Sequence, residues 1–255
     1  MHKLQRAMFK KELLEMARTS RLLIWVVLSA FFGILSPLTA YYLPDLLSFF
    51  GATENVVITF GTITYQDAVD QYVKNFSQIG TMVLIFMMMG SLAGEKSDGL
   101  IQFLLVRPVS VTCIITAKLA SLFILLLIGI LVAIMTMGIY TWYLFPGFPV
   151  LPFVVSNCFL LIYFFTLGTV TITLSAAVKK PIMAGIGAFG IWLIFSLGTV
   201  VAHVGDFSFV LLVNQMVQTI EGFPVEWKPM VGAMVLMALA VVLGVYGLKR
   251  WEPND

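Results

Sequence analysis

Residues 95–108 read EKSDGLIQFLLVRP, and Lys118 follows ten residues after the proline. This short charged and amphipathic segment lies between two long apolar runs. We expect a helix over about residues 97–106, with polar residues suited to a helix start at its beginning. Pro108 ends the helix, because proline cannot continue one and disfavours helical angles in the residue before it.

Three large aliphatic side chains give this predicted helix an apolar face. Ile101, Leu104 and Leu105 are three and four residues apart, so a helix brings them together. Charged residues, among them Glu95 and Arg107, flank them. A segment this apolar, outside the lipid and too short to fold alone, is predicted to contact another surface.

The composition is that of an integral membrane protein. The chain has 255 residues, of which 60% are hydrophobic and 11% charged, whereas soluble domains carry about 25% charged residues. Its mean hydropathy is +1.00. Cys113 and Cys158 form no C-x-x-C pair and are predicted to be buried packing residues.

The apolar runs predict an all-α integral membrane protein with six transmembrane helices, forming a single transmembrane domain over residues 1–255. The predicted spans are about 22–43, 76–93, 119–143, 151–177, 182–204 and 230–248. Pro37 is expected to interrupt the first span near its far end.

Two further segments are helical in pattern but do not span. In residues 3–20, Phe9, Leu13 and Met16 recur at helical spacing among basic residues, which is typical of an amphipathic interface helix. An ordinary charged anchor before the first span is the alternative. Residues 207–220 are too short and polar to cross, so they are predicted to be re-entrant or to lie on the outer surface.

The distribution of basic residues predicts the orientation. Thirteen of the fifteen Lys and Arg lie in the two termini, the 95–118 loop and the turn at residues 179–180, leaving only Lys74 and Lys228 on the other side. The positive-inside rule makes the first side cytoplasmic. Both termini are therefore predicted to be cytoplasmic.

The sequence lacks the residues that several activities require. The assigned span interiors contain no Asp, Glu, Lys or Arg, which disfavours ion-coupled carriers, and His203 is interpreted as an interfacial polar residue. The Lys96-Ser97 pair follows glutamate where a phosphate-binding loop needs glycine. We therefore expect no catalytic, cofactor-binding or metal-binding residues in this chain.

Residues 95–108, which we call the organising segment, resemble a family motif. ABC-2 type permeases, the membrane subunits of type V ABC exporters, carry a pattern close to E-x-x-x-G-x-x-x-x-L-L-x-x-P followed by lysine. The matching positions here are Glu95, Gly99, Leu104, Leu105, Pro108 and Lys118. Leu100 stands where the family commonly has threonine. The layout of spans is similar over nearly the whole chain, whereas the motif covers only the segment itself.

The resemblance implies that residues 97–106 form a cytoplasmic coupling helix. It would dock into a groove on a separate ATP-binding subunit, which would bind ATP-Mg, so that this chain needs no cofactor of its own. The implied contact residues are Glu95, Gly99, Ile101, Leu104, Leu105, Arg107 and Pro108. The apolar face is expected to be rimmed by Glu95, Lys96, Asp98 and Arg107.

The resemblance further implies a transporter that exports an amphipathic or apolar substrate across a bacterial cytoplasmic membrane. The partners would be the lipid bilayer and a second permease chain, in a homodimer or heterodimer, and no nucleic acid. The dimer contact would use the first and fifth spans, with Ala184 and Ala188 allowing close packing. Two alternatives remain: a stand-alone secondary carrier or channel, and a non-transporting membrane anchor or assembly factor.

Overall fold

A computed structural model describes residues 2–51, 63–99, 110–201, 203 and 205–250. Within those residues the regular secondary structure is all helical. The helices are α1 (His2–Arg18), α2 (Arg21–Gly51), α3 (Tyr65–Met88), α4 (Ala93–Ser97), α5 (Val111–Leu144), α6 (Val150–Ala177), α7 (Pro181–Gly198), a 3-10 turn (Gly205–Phe207), α8 (Leu211–Ile220) and α9 (Lys228–Lys249).

Six helical segments are long and apolar enough to cross a membrane: Arg21–Leu43, Tyr65–Ser97, Val111–Leu144, Val150–Ala177, Pro181–Gly198 and Lys228–Lys249. The prediction of an all-α membrane protein with six spans is confirmed. The third span helix begins well before the predicted residue 119, because Ser110 caps it by accepting a hydrogen bond from the Cys113 backbone N–H at 3.3 Å. Lys118 consequently lies within α5.

The prediction that Pro37 interrupts the first span is wrong, because α2 continues through this residue. Proline removes only one backbone donor, and transmembrane helices tolerate that loss when nearby groups compensate. The Thr39 hydroxyl donates to the carbonyl oxygens of Leu35 at 2.8 Å and Ser36 at 3.0 Å. These bonds lie in the turn around the proline but do not replace the missing one, since the carbonyl that Pro37 leaves without a donor is that of Gly33.

The helix α6 connects the bundle through buried polar side chains. Tyr72 of α3 donates a hydrogen bond to Asn157 at 3.1 Å. One turn and a half further along α6, the Tyr163 hydroxyl lies 2.6 Å from the Thr81 hydroxyl and accepts the Trp192 indole N–H at 2.8 Å. The last two bonds join α3 and α7 to the same tyrosine of α6.

An aromatic cluster holds α2 in place. The Trp25 ring is fully buried, with its centroid 5.6 Å from that of Phe76 and 5.1 Å from that of Phe164. Gly129 of α5 leaves the space for it, since a Cβ there would lie 2.3 Å from the indole nitrogen. The glycine therefore permits close approach of α2 and α5.

The chain enters and leaves the bundle at one end, which we call the terminal end. It holds α1 and the last turn of α9, where Gly247 packs on Ala177 so closely that a Cβ would lie 3.0 Å away. The other end, which we call the far end, holds the 3-10 turn and α8. There, the backbone of Phe207 lies directly against Gly232 of α9.

The face of α1 that packs on the bundle differs from the predicted one. Met8, Glu12 and Met16 are buried, whereas Phe9 and Leu13 are half-buried at its edges. The periodicity of apolar residues missed Glu12, because a buried carboxylate with a cationic partner cannot be recognised from an apolar pattern. The position of α1 at a membrane interface stays a prediction.

Two smaller predictions have mixed outcomes. Cys113 is buried, but Cys158 is exposed on α6, so the buried packing role is wrong for Cys158. A membrane-spanning helix is apolar on its outward face as well as in the core, so an apolar run does not show which of its residues are buried. Within residues 207–220, α8 is a ten-residue helix with buried Leu212 and Met216. Whether it is re-entrant stays a prediction.

Candidate functional site

The helix leading to the organising segment breaks at the terminal end. Between α3 and α4 the chain turns, and we call Met89–Gly99 the elbow. The Ser175 hydroxyl of α6 accepts hydrogen bonds from the backbone N–H groups of Leu92 at 3.0 Å and Ala93 at 2.8 Å, and it donates to the Met89 carbonyl at 2.7 Å. One hydroxyl therefore satisfies three backbone groups that the helix break leaves without helical partners.

Lys96 fixes the elbow to the same helix end. Its ammonium group donates to the carbonyl oxygens of Ala176 and, at 3.2 Å, Val178. These carbonyls belong to the C-terminal end of α6, where the helix dipole and unpaired carbonyl groups favour a cation. Lys96 is buried in this contact, so the prediction that it rims an exposed face is wrong.

Glu95 points to the other side of the elbow, into a buried ion cluster. The side chain of Lys118 is only 2% exposed, and its ammonium group lies 3.1 Å from Glu95 Oε1 and 2.9 Å from Glu12 Oε2. Lys11 binds the same Glu95 oxygen at 2.7 Å. The predicted position of Glu95 on an exposed rim is therefore wrong, because the residue is buried within this chain.

Charges balance within the cluster. Lys11 also lies 3.0 Å from Glu12 and 3.1 Å from Glu15, and Arg21 lies 3.8 Å from Glu15. The three glutamates have carboxylate oxygens within 4.8 Å of one another. Three cationic side chains of the chain itself supply the positive charge that such close carboxylates need. We call Lys11, Glu12, Glu15, Arg21, Glu95 and Lys118 the ion cluster; it joins α1, α2, the elbow and α5.

The charges of the cluster shift two pKa values outside the spans. Burial acts to raise the pKa of Glu15, but the positive charges of Lys118 and Lys11 outweigh it and lower that pKa. Burial acts to lower the pKa of Lys11, but the Glu95 and Glu12 carboxylates raise it above its usual range. The stabilisation from Glu15 is thus present above its unfolded pKa and lost as the pH falls through its lowered folded pKa.

Gly99 ends the elbow with a backbone conformation that favours glycine. Its φ is +71°, and its N–H donates to the Lys96 carbonyl at 3.1 Å. A Cβ at this position would meet nothing within 4 Å, so the constraint is backbone conformation rather than space. In the pattern E-x-x-x-G, the glutamate therefore fixes the elbow and the glycine redirects the chain after it.

We expect Gly99→Ala to lower stability and Gly94→Ala to preserve or raise it. Alanine in the left-handed conformation costs about 1–2 kcal/mol. Gly94 has no positive φ and no atom within 4 Å of a Cβ, so alanine there gains about 0.5–1 kcal/mol of helix propensity. The measurement is the apparent melting midpoint of each purified variant in detergent. Equal midpoints for the two variants would contradict the role given to Gly99.

The remaining predicted contact residues of the organising segment are Ile101, Leu104, Leu105, Arg107 and Pro108, and they lie outside the described residues. They follow the elbow in the sequence. Sequence reasoning included Lys118 in the motif but missed its pairing with Glu95 and Glu12, and it also missed Ser175. The two glutamates in the otherwise basic N-terminal helix were the one available signal.

The predicted dimer contact is corrected by burial. Ala184 and Ala188 are fully buried inside this chain. On the same helix, a Cβ on Gly187 would contact Leu174 of α6 at 3.4 Å, and one on Gly185 would lie 2.9 Å from the Met89 sulfur. The small residues therefore let α7 pack on its own bundle, and in this conformation they are not available to a second chain.

Comparison with known proteins identifies a protein family that matches most of the chain. The family model described as ABC-2 family transporter protein matches residues 6–246. An uncharacterized transmembrane protein of Bacillus subtilis (strain 168), YxlG, is 27% identical over 117 residues. That similarity covers 46% of this chain and 45% of the relative, so the chain matches less than half the length of this curated protein.

Proposed function

Because the chain belongs to the ABC-2 family of transporter proteins, we propose that it is the permease of an ABC exporter driven by a separate ATP-binding subunit. In this proposal the partner binds ATP-Mg and hydrolyses ATP, while the six spans of this chain carry an amphipathic or apolar substrate across the membrane. The predicted helix start at residue 97 is wrong, because Ser97 ends α4 and Gly99 has a positive φ. The ATP-binding subunit therefore contacts the part of the segment that follows Gly99, residues 100–106.

The clamped elbow is the observation that carries this proposal. Ser175 and Lys96 fix it to α6, and Glu95 fixes it to α1 and α5. A displacement of the segment that follows Gly99 therefore acts on several helices at once, through short contacts between packed elements. A freely hinged loop would transmit no such displacement.

We propose that the terminal end faces the cytoplasm. The elbow lies at this end, where an ATP-binding subunit would have to dock, and so do the basic residues of α1 and the last turn of α9. Lys74 and Lys228 are left near the far end. A reporter fused after Asp255 is expected to be active only in the cytoplasm, and activity outside the cell would contradict this orientation.

We propose that a second permease chain, identical or similar to this one, completes the transporter. The helix α7 supports this proposal because it is the least buried candidate span, with only 17% of its apolar stretch buried inside the chain. Its exposed face is apolar and includes Ile186, Ile194 and Leu197. A contact on this face would leave Ala184 and Ala188 buried inside each chain.

Co-purification tests the proposed function. An ABC-type ATP-binding subunit from the same organism, co-expressed with this chain, is expected to remain bound to it through affinity purification in mild detergent, and the reconstituted complex is expected to hydrolyse ATP. The same ATPase without the permease provides the baseline for its activity. If no ATP-binding subunit binds the intact, monodisperse permease, the chain is a stand-alone carrier or an anchor rather than half of an ABC exporter.

A further inference from the structure

A polar groove opens near the far end between α3 and α8. It consists of two adjoining cavities of about 400 Å³ and about 300 Å³. Both are lined by Ser77, Gln78, Val213 and Asn214, which makes them one continuous space. It is distant from the elbow and the ion cluster, and nothing described above uses it.

The groove is polar but almost uncharged. Gln78 and Asn214 are exposed, and neither side chain hydrogen-bonds to any residue in the described part of the chain. Ser196 adds a hydroxyl on the α7 side. The charged side chains lining the space are Asp70 and Lys74, one of each sign, at its outer part. Such a lining binds neutral polar groups better than ions, because an ion would meet no matching net charge.

The floor of the groove is rigid and aromatic. Tyr163 and Trp192 line it, and they are joined by the indole N–H to hydroxyl hydrogen bond of 2.8 Å. The Tyr163 hydroxyl is also 2.6 Å from that of Thr81, and the Trp192 ring stacks on Phe189 with centroids 5.5 Å apart. A floor held by several contacts is already organised before a ligand arrives, which lowers the entropic cost of binding.

We propose that this groove binds the uncharged, hydroxyl-bearing head group of an amphipathic molecule. The inference rests on the proposed function, in which this molecule belongs to the exported substrate class. Each amide of Gln78 and Asn214 offers donors and an acceptor, so both can pair with hydroxyl groups, which also donate and accept. The aromatic floor suits the apolar face of a ring that carries such hydroxyls.

The apolar part of the ligand has a place beside the groove. Leu193 and Leu197 follow Trp192 and Ser196 by one residue each, and they are exposed on the apolar face of α7 that we also propose for the second permease chain. A molecule with its head in the groove would therefore extend its chain along this apolar surface, where the second chain leaves it uncovered. Apolar and polar parts of the ligand are both accommodated without burying an unpaired group.

Protection of an engineered cysteine tests the site in the chain alone. Val213→Cys, in a Cys158→Ser background that leaves the buried Cys113, places a thiol in the groove without removing a proposed binding group. The protein is reconstituted in phosphatidylcholine nanodiscs and labelled with a membrane-impermeant charged thiol reagent. The probe is octyl glucoside below its micelle concentration, and octyl sulfate and octyltrimethylammonium are the charged comparisons.

Octyl glucoside is expected to slow labelling by a factor of 1 + [L]/Kd, about tenfold when the probe is at nine times its Kd. The charged amphiphiles are expected to protect much less. Adding Gln78→Leu removes one hydrogen-bonding side chain and is expected to weaken protection about threefold to tenfold. Glu221→Cys, at the end of α8 and outside the groove lining, is expected to be labelled at the same rate with and without the probe.

Equal protection by all three amphiphiles, or equal protection of Glu221→Cys, would overturn the proposal. The proposal would also be overturned if octyl glucoside did not slow the labelling of Val213→Cys. The same holds if the reagent labelled neither Val213→Cys nor Val217→Cys, which lies on the same groove wall. The assay contains no ATPase, so its failure leaves the coupling proposal standing. Conversely, failure of the ATPase to bind would not change the protection result.

Discussion

Replacing Lys118 with methionine is expected to destabilise the permease by about 3–5 kcal/mol, because it leaves buried carboxylates without their cation. Lys118 is the most buried member of the ion cluster and contacts both Glu12 and Glu95. One oxygen of Glu95, Oε2, already has no hydrogen-bond partner among the described residues. Loss of Lys118 therefore leaves Glu95 with Lys11 alone, whose side chain is 40% exposed.

The measurement is the apparent melting midpoint in detergent, together with the monodisperse fraction on size exclusion. Lys74→Met is the matched control, since Lys74 is exposed at the far end and forms no ion pair with a described residue. Adding Glu12→Gln and Glu95→Gln to Lys118→Met removes the uncompensated charges and is expected to restore part of the loss. A midpoint for Lys118→Met equal to that of Lys74→Met would show that the cluster contributes no stability.

The six helices could be predicted because their signal is local. A run of about 20 apolar residues must form backbone hydrogen bonds internally when it crosses lipid, and a helix is the structure that does so within one segment. The ends of the helices were harder to predict from the sequence. The start of α5 depends on the Ser110 cap and lies outside the apolar run, and the continuation of α2 through Pro37 runs against the usual effect of proline on a helix.

Only part of the candidate site could be predicted from the sequence, because its contacts join distant parts of the chain. Glu95 and Lys118 belong to the motif, but the sequence does not indicate that they pair with each other or with Glu12, since their meeting depends on how α1, the elbow and α5 pack. Ala184 and Ala188 show the complementary difficulty. Small residues favour any close helix contact, whether within a chain or between chains, and here the contact lies within the chain.

Combining Leu104→Asp with Leu105→Asp is expected to uncouple the permease from its ATPase while the six spans remain inserted. Both leucines are on the predicted apolar face of the segment that follows the elbow, residues 100–106, and they lie outside the described residues. Two carboxylates buried there without partners would cost about 4 kcal/mol, enough to weaken association about a thousandfold. Insertion should survive because neither residue lies in a predicted span.

The measurement is pull-down of the ATPase and permease-dependent ATP hydrolysis for the double variant, with its melting midpoint as a check on folding. Gln102→Asp is the matched control, because it adds a carboxylate to the same segment about 100° away from the centre of the apolar face. The control is expected to bind and stimulate nearly as the wild type does, since a solvated surface charge contributes about 0–1 kcal/mol. In the proposed mechanism, the elbow moves the spans only when the ATPase holds the segment that follows it. Normal binding and stimulation by the double variant would therefore separate the elbow from coupling and remove the main physical support for ATP-driven transport.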